Sequence, residues 1–274
     1  MKQTELFGLA EGWFEKQGWA SFPFQRKTWR AFLNGKHGLL NAPTGSGKTY
    51  ALWVPIVLQY IKHNPDYRTK KQKGIKAIWI TPLRALSVEI QQSAQRFADD
   101  LETGLTVGIR TGDTSSSERA RQKRSMPDLL VTTPESLMLL LATKGYDKMF
   151  ASLQAVVVDE WHELLGSKRG VQIELALSRL KSITQNLRIW GISATIGNIE
   201  EARQVLLGMD QAFMDNSVLI KSRQKQKVRV QSIIPKKMET FPWRGHLGLH
   251  LLEELVPIIK RSKTTLIFTN TRGQ

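Results

Sequence analysis

The chain contains no cysteine. Disulfides and thiolate metal sites are therefore excluded, and the composition suits a reducing compartment. It also lacks an apolar run near the ~20 residues of a membrane span. The stretch Met1 to Lys16 mixes charged residues among its apolar ones and has no signal-peptide core. No internal repeat or low-complexity tract stands out. Acidic residues are few. The 274 residues hold 24 Asp and Glu against 40 Lys and Arg, a formal charge of +16. Such an excess points to a polyanionic partner, with a merely solubilising surface as the bland alternative. The length suits one large or two smaller domains, and 41% hydrophobic residues suffice for a core.

What is present is more specific. Residues 42–49 read Ala-Pro-Thr-Gly-Ser-Gly-Lys-Thr. They follow an apolar run, Gly38 to Asn41, and lead into a helix-like stretch, Tyr50 to Ile61. This is the setting of a phosphate-binding loop, although Ala42 stands where the general pattern has Gly. Thr44, Gly45, Ser46 and Gly47 form the curl. Lys48 is expected on the β and γ phosphates of ATP, and Thr49 on a magnesium ion. The second signature is Asp159-Glu160-Trp161-His162, after the apolar run Ala155 to Val158. Open α/β sheets place ligands at strand C-termini. Asp159 is expected to hold magnesium, and Glu160 to activate the attacking water.

Apolar runs at Gly38–Asn41, Ile75–Thr81, Thr106–Arg110, Leu129–Thr132, Ala155–Asp159 and Arg188–Ser193 read as strands. Helical spacing at Leu83–Phe97 and Val171–Leu180 separates them. The alternation predicts α/β architecture, a doubly wound parallel sheet. Pro55 is expected to kink the helix after the loop or to shift its start. Residues 1–207 read as one nucleotide-binding domain and 208–220 as a linker. Residues 221–274 read as the opening of a second domain, an alternating basic stretch (Lys221, Arg223, Lys225, Lys227, Arg229), a helix-like Leu247–Ile259 interrupted by Pro257, and an apolar run, Thr264–Thr269. The remainder of that domain is expected to be absent. The run Arg119, Arg121, Lys123, Arg124 reads either as a solvated helix face or as a backbone contact.

Further segments stand at strand ends, Thr81–Leu86, Thr111–Asp113, Thr132–Ser136 and Ser193–Thr195. Each alone is weak. Their order, with Gln25 before the loop and Phe268–Arg272 near the end, resembles superfamily 2 DExH-box helicases. Asp159–Gly170 is similar to the large helicase-related (Lhr) group. Phe241–Leu249 and Leu266–Arg272 resemble the bacterial ligase-associated members. The resemblance implies a RecA-like P-loop NTPase fold with the start of a second RecA-like domain. It implies an ATP-dependent DNA helicase or translocase of DNA repair, moving 3′ to 5′, in the bacterial cytosol or nucleoid. Gln25 would read adenine. His162, Ser193 and Thr195 would couple ATP to nucleic acid. Thr81, Arg84, Thr111, Thr132, Thr133 and Arg272 would contact single-stranded or partly duplex DNA. Repair proteins would be partners, and a membrane would not. An RNA helicase, or a non-catalytic fragment that binds ATP and nucleic acid, remains as the alternative. Such enzymes take an arginine finger from the rest of the second domain, so the isolated chain is expected to be nearly inactive.

Overall fold

The computed structural model describes residues 1–70, 72–184, 186–194, 196–208, 211–222, 230–233 and 252–268. Seven strands form one sheet in the order β3-β4-β2-β5-β6-β1-β7, every pair parallel. They are β1 (His37–Asn41), β2 (Ala77–Ile80), β3 (Val107–Arg110), β4 (Leu129–Thr132), β5 (Ala155–Val158), β6 (Arg188–Ser193) and β7 (Ser217–Lys221). Because all run the same way, their C-terminal ends share one edge of the sheet. The order along that edge decides which loops meet.

Alternation within each strand sends side chains to two cores. Leu40, Trp79, Val131, Val157, Trp190 and Ile192 belong to one. It also contains buried residues of α1 (Gln3–Lys16), α2 (Pro23–Leu33), α3 (Lys48–His63) and α4 (Arg84–Asp100). Leu39, Ile78, Ile80, Leu130, Val156 and Val158 belong to the other. That core includes residues of α6 (Pro134–Leu141), α8 (Trp161–Leu164), α9 (Lys168–Ile183) and α10 (Ile199–Leu207). A parallel sheet covered on both faces requires such continuously apolar strands. The short helices α5 (Ser116–Arg124), α7 (Tyr146–Phe150) and α11 (Gln211–Asp215) complete this unit. Among its described residues, no helix is long and apolar enough to cross a membrane.

Several expectations change. Residues 208–220, read as a linker, hold α11 and most of β7, which pairs with β1 from Ser217↔His37 to Lys221↔Asn41. The chain accordingly separates into compact units Met1–Gln224 and Lys225–Gln274. α3 begins directly at Lys48 and runs through Pro55, so its start is not shifted. In the second unit α12 (Leu252–Arg261) likewise contains Pro257. Residues 264–268 form no strand. A strand needs a hydrogen-bonding neighbour, and the described residues of that unit supply none. Arg223, Lys225, Lys227, Arg229 and Phe241–Leu249 lie outside the described residues.

Candidate active site

The loop between β1 and α3 is shaped by two glycines with positive φ, 72° at Gly45 and 79° at Gly47. Side chains with a Cβ resist this left-handed region. The Ser46 hydroxyl donates to the Pro43 carbonyl at 2.7 Å and braces the turn. Gln25 is buried. Its Nε2 donates to the Gly47 carbonyl at 2.9 Å, and its Oε1 accepts from the Phe22 amide at 2.7 Å. One amide thus caps α2 and tethers the phosphate loop. Thr44 is exposed, and Thr49 is half-buried in the first turn of α3. The N-terminus of α3 presents unpaired N–H groups and positive potential to the loop.

Asp159 follows β5, next to β2 in the sheet. Its carboxylate accepts from the Trp79 indole N–H at 3.2 Å and from the Glu160 amide at 2.9 Å. Burial, then the Glu160 carboxylate beside it, push its pKa up to about 6. Glu160 sits at φ 45° and ψ 46°. That left-handed conformation costs a non-glycine residue roughly 1–2 kcal/mol. The turn brings Glu160 Oε1 to 3.4 Å from Lys48 Nζ. Its Oε2 is buried without a hydrogen-bond partner and approaches His162 Nδ1 only to 3.5 Å. A buried carboxylate, Asp159, beside a half-buried one, Glu160, whose Oε2 is buried without a partner, fits a hard divalent cation. Asp159 and Thr49 are the residues that would hold magnesium. No group of three or more His, Asp or Glu among the described residues could hold a metal. Magnesium commonly takes one or two carboxylates together with substrate phosphates.

His162 Nδ1 stands 3.1 Å from Ser193 Oγ at the end of β6. The Ser193 carbonyl accepts from the Ala42 amide at 3.0 Å and from Asn41 Nδ2 at 3.4 Å. Asn41 Nδ2 also donates to the Ala194 carbonyl at 3.1 Å. A closed ring of contacts therefore runs from the phosphate loop through Ser193, His162 and Glu160 back to Lys48. Thr195 lies outside the described residues.

The other half of the edge carries the ends of β2, β4 and β3. Thr81, Thr111, Thr132 and Thr133 are all buried there. Their hydroxyls shape turns. Thr132 donates to the Arg110 carbonyl at 2.7 Å, and Thr133 caps α6 by accepting from the Ser136 amide at 3.4 Å. Thr81 accepts from the Leu83 amide at 3.4 Å, and Thr111 from the Asp113 amide at 3.3 Å. Arg84 is exposed and pairs with Asp113 at 2.8 Å. Arg119 turns back onto the carbonyls of Thr111, Gly112 and Thr114. Arg121 pairs with Glu118. Arg272 lies outside the described residues. Sequence reasoning missed Trp79 and Asp113 as partners of Asp159 and Arg84. A tryptophan inside an apolar strand reads as core, and only the sheet order reveals its polar tip.

The chain is similar to known proteins. A family model described as DEAD/DEAH box helicase matches residues 22–202. The ATP-dependent helicase Lhr-Core of Sulfolobus acidocaldarius is 34% identical over 95% of this chain, which spans 30% of that relative. The Lhr helicase/uracil glycosylase of Escherichia coli is 30% identical over 95% of the chain, which spans 18% of it. Among solved structures, the Mycobacterium smegmatis helicase Lhr bound to ssDNA and AMP-PNP superposes with a TM-score of 0.75 at 27% identity. That match covers 98% of this chain and 33% of the other.

Proposed function

Because the chain belongs to the DEAD/DEAH box helicase family, we propose that it is the nucleotide-binding front portion of an ATP-dependent DNA helicase of the bacterial cytosol, engaged in DNA repair. The observation that carries this reading is the 3.4 Å contact between Lys48 and Glu160, which joins the phosphate loop to the acidic turn with Asp159 beside them. The charge of +16 supports a nucleic-acid partner, and the ssDNA in the solved Lhr relative supports DNA.

ATP phosphates enter against the loop N–H groups and draw Lys48 away from Glu160. Glu160, freed of its cation, orients water toward the γ phosphate and accepts its proton. Asp159 and Thr49 would hold magnesium, which when bound would neutralise charge on the phosphates. His162 and Ser193 sense the change at Glu160 and pass it across the sheet edge toward Thr81 and Thr132. Arg84, released from Asp113, meets a strand phosphate, as do backbone N–H groups of the turns. An arginine from the opposing domain of the longer protein completes stabilisation of the transition state, an effect on the order of 10³–10⁵ in rate. The 274-residue chain should thus bind Mg·ATP, hydrolyse it slowly with little stimulation by DNA, and unwind nothing.

Equal-length single-stranded DNA and RNA, titrated against the chain with a non-hydrolysable ATP analogue, test the substrate assignment. Preference for DNA, with nucleotide-dependent affinity, is expected. Preference for RNA would overturn it. Robust unwinding by the chain itself would overturn the need for an opposing arginine.

A further inference from the structure

A second basic feature extends from the Thr111 end of the strand track along β3. A cleft in the first unit runs beside the edge strand β3 and is lined by Arg110, Lys123 and Arg124 from the β3–α5 side. Lys73, Lys144 and Lys148 line it from the segments before β2 and around α7. These segments lead into the N-terminal ends of strands, opposite the edge that carries Asp159 and Thr111. Two acidic residues also line the cleft. Glu118 is taken by Arg121. Asp128 is buried and accepts from the Thr106 amide at 2.9 Å and its hydroxyl at 2.7 Å. None of the six cations has an ion pair among the described residues. Arg110 is half-buried and reaches only the Arg119 carbonyl and Gln122 Oε1, each at 3.5 Å. Burial and neighbouring Arg119 push its pKa down. A half-buried guanidinium beside a second one is a standing electrostatic debt that an anion would relieve.

The lining also tells which polyanion. Among the described residues it includes no aromatic ring. Seats for single strands combine basic grooves with aromatic platforms on which bases stack. A cleft with cations and no platform suits a backbone whose bases are already paired and turned inward. The cleft runs the length of β3, about 13 Å for four residues, from Lys73 and Thr106 at its N-terminal end to Arg110, next to Thr111, at the other. A duplex arm can lie along it and pass into a single-stranded tail at the Thr111 turn.

We propose that this cleft seats the phosphate backbone of paired nucleic acid, the duplex arm that adjoins the tracked single strand. The inference rests on the reading of the chain as a nucleic-acid motor domain, and its test separates the two. A labelled single-stranded tail and the same tail joined to a duplex arm are titrated by anisotropy at several salt concentrations. The proteins are the wild-type chain, Lys144→Glu/Lys148→Glu and Lys123→Glu/Arg124→Glu. Each double variant should weaken binding of the tail-plus-arm DNA by about 10-fold or more and lower its salt slope by about one for each phosphate that the protein ceases to neutralise. Affinity for the tail alone and for nucleotide should stay at wild-type values. Thermal melting checks the fold, and Lys144→Gln/Lys148→Gln should show the same weakening at smaller size. Equal weakening of both DNAs, or unchanged binding of the tail-plus-arm DNA, would overturn the cleft assignment alone. Wild-type chain that binds neither DNA would overturn the functional reading and this inference with it.

Discussion

Trp79 reaches across from β2 to donate its indole N–H to Asp159 Oδ2 at 3.2 Å, while its ring stacks on Trp53 at 4.7 Å. The expected magnesium ligand is thus oriented by a buried tryptophan held from below. Trp79→Phe keeps most of the stacking and removes the donor. Loss of a hydrogen bond to a charged group is worth about 1.5–3 kcal/mol. Mg·nucleotide affinity at pH 7 should fall about 10-fold or more, and the midpoint of its pH dependence should rise. Calorimetric titration across pH checks both. Unchanged affinity and midpoint would show that Trp79 serves only the core.

Asp159 makes the protein sensitive to pH in two directions. Its pKa in the fold is about 6, against an ordinary 3.8. Between those values the folded state holds more protons than the unfolded one. The contribution of this group to stability is therefore full below about pH 4 and lost as pH rises through 6, by up to ~3 kcal/mol. Magnesium binding at Asp159, as proposed, would run the other way, because it needs the ionised carboxylate, so affinity should weaken as pH falls through about 6. Denaturant unfolding of the nucleotide-free chain, compared with Asp159→Asn, isolates the first effect. Asp159→Asn should flatten it, and parallel pH profiles for the two proteins would contradict the account.

Gln25 offers a discriminating substitution. Gln25→Ala removes the cap of α2 and the tether on Gly47 together, and should destabilise the chain by roughly 1–2 kcal/mol. If the amide also reads adenine, preference for ATP over GTP should drop in the same variant. Melting curves and competition between the two nucleotides provide the readouts. Retained preference with lower affinity for both would leave the tether as its only role.

The sheet was legible because its strands are buried on both faces. Leu129–Thr132 and Arg188–Ser193 form strands with the bounds read from the sequence, Ile75–Thr81 shortens at both ends to Ala77–Ile80, and the other runs shift by one residue at one end. β7 was not, because Ser217–Lys221 is an edge strand, only partly buried along most of its length, and its pairing with β1 is set by packing across the whole unit. The helix α1 was also missed, since its charged residues hide a face that buries Leu6, Ala10, Trp13 and Phe14. At the site, residue types and spacing pointed to the loop and the acidic turn. They carried no trace of the geometry that ties Lys48 to Glu160, or of Arg119 folding back onto the Thr111 turn. Side-chain direction comes from tertiary placement, and local pattern does not encode it.

Lys48 Nζ lies 3.4 Å from Glu160 Oε1, and the proposed mechanism depends on an entering phosphate taking the first and freeing the second. Equilibrium titration of Mg·ATP into the wild-type chain, Lys48→Ala and Glu160→Gln tests it most directly. Wild type should bind. Lys48→Ala should weaken binding at least ~10-fold, having given up charge-assisted bonds worth about 1.5–3 kcal/mol. Glu160→Gln should bind as well as wild type or better, because Lys48 no longer has a carboxylate to leave. Wild-type affinity in Lys48→Ala, or a weakening in Glu160→Gln equal to that of Lys48→Ala, would contradict the account.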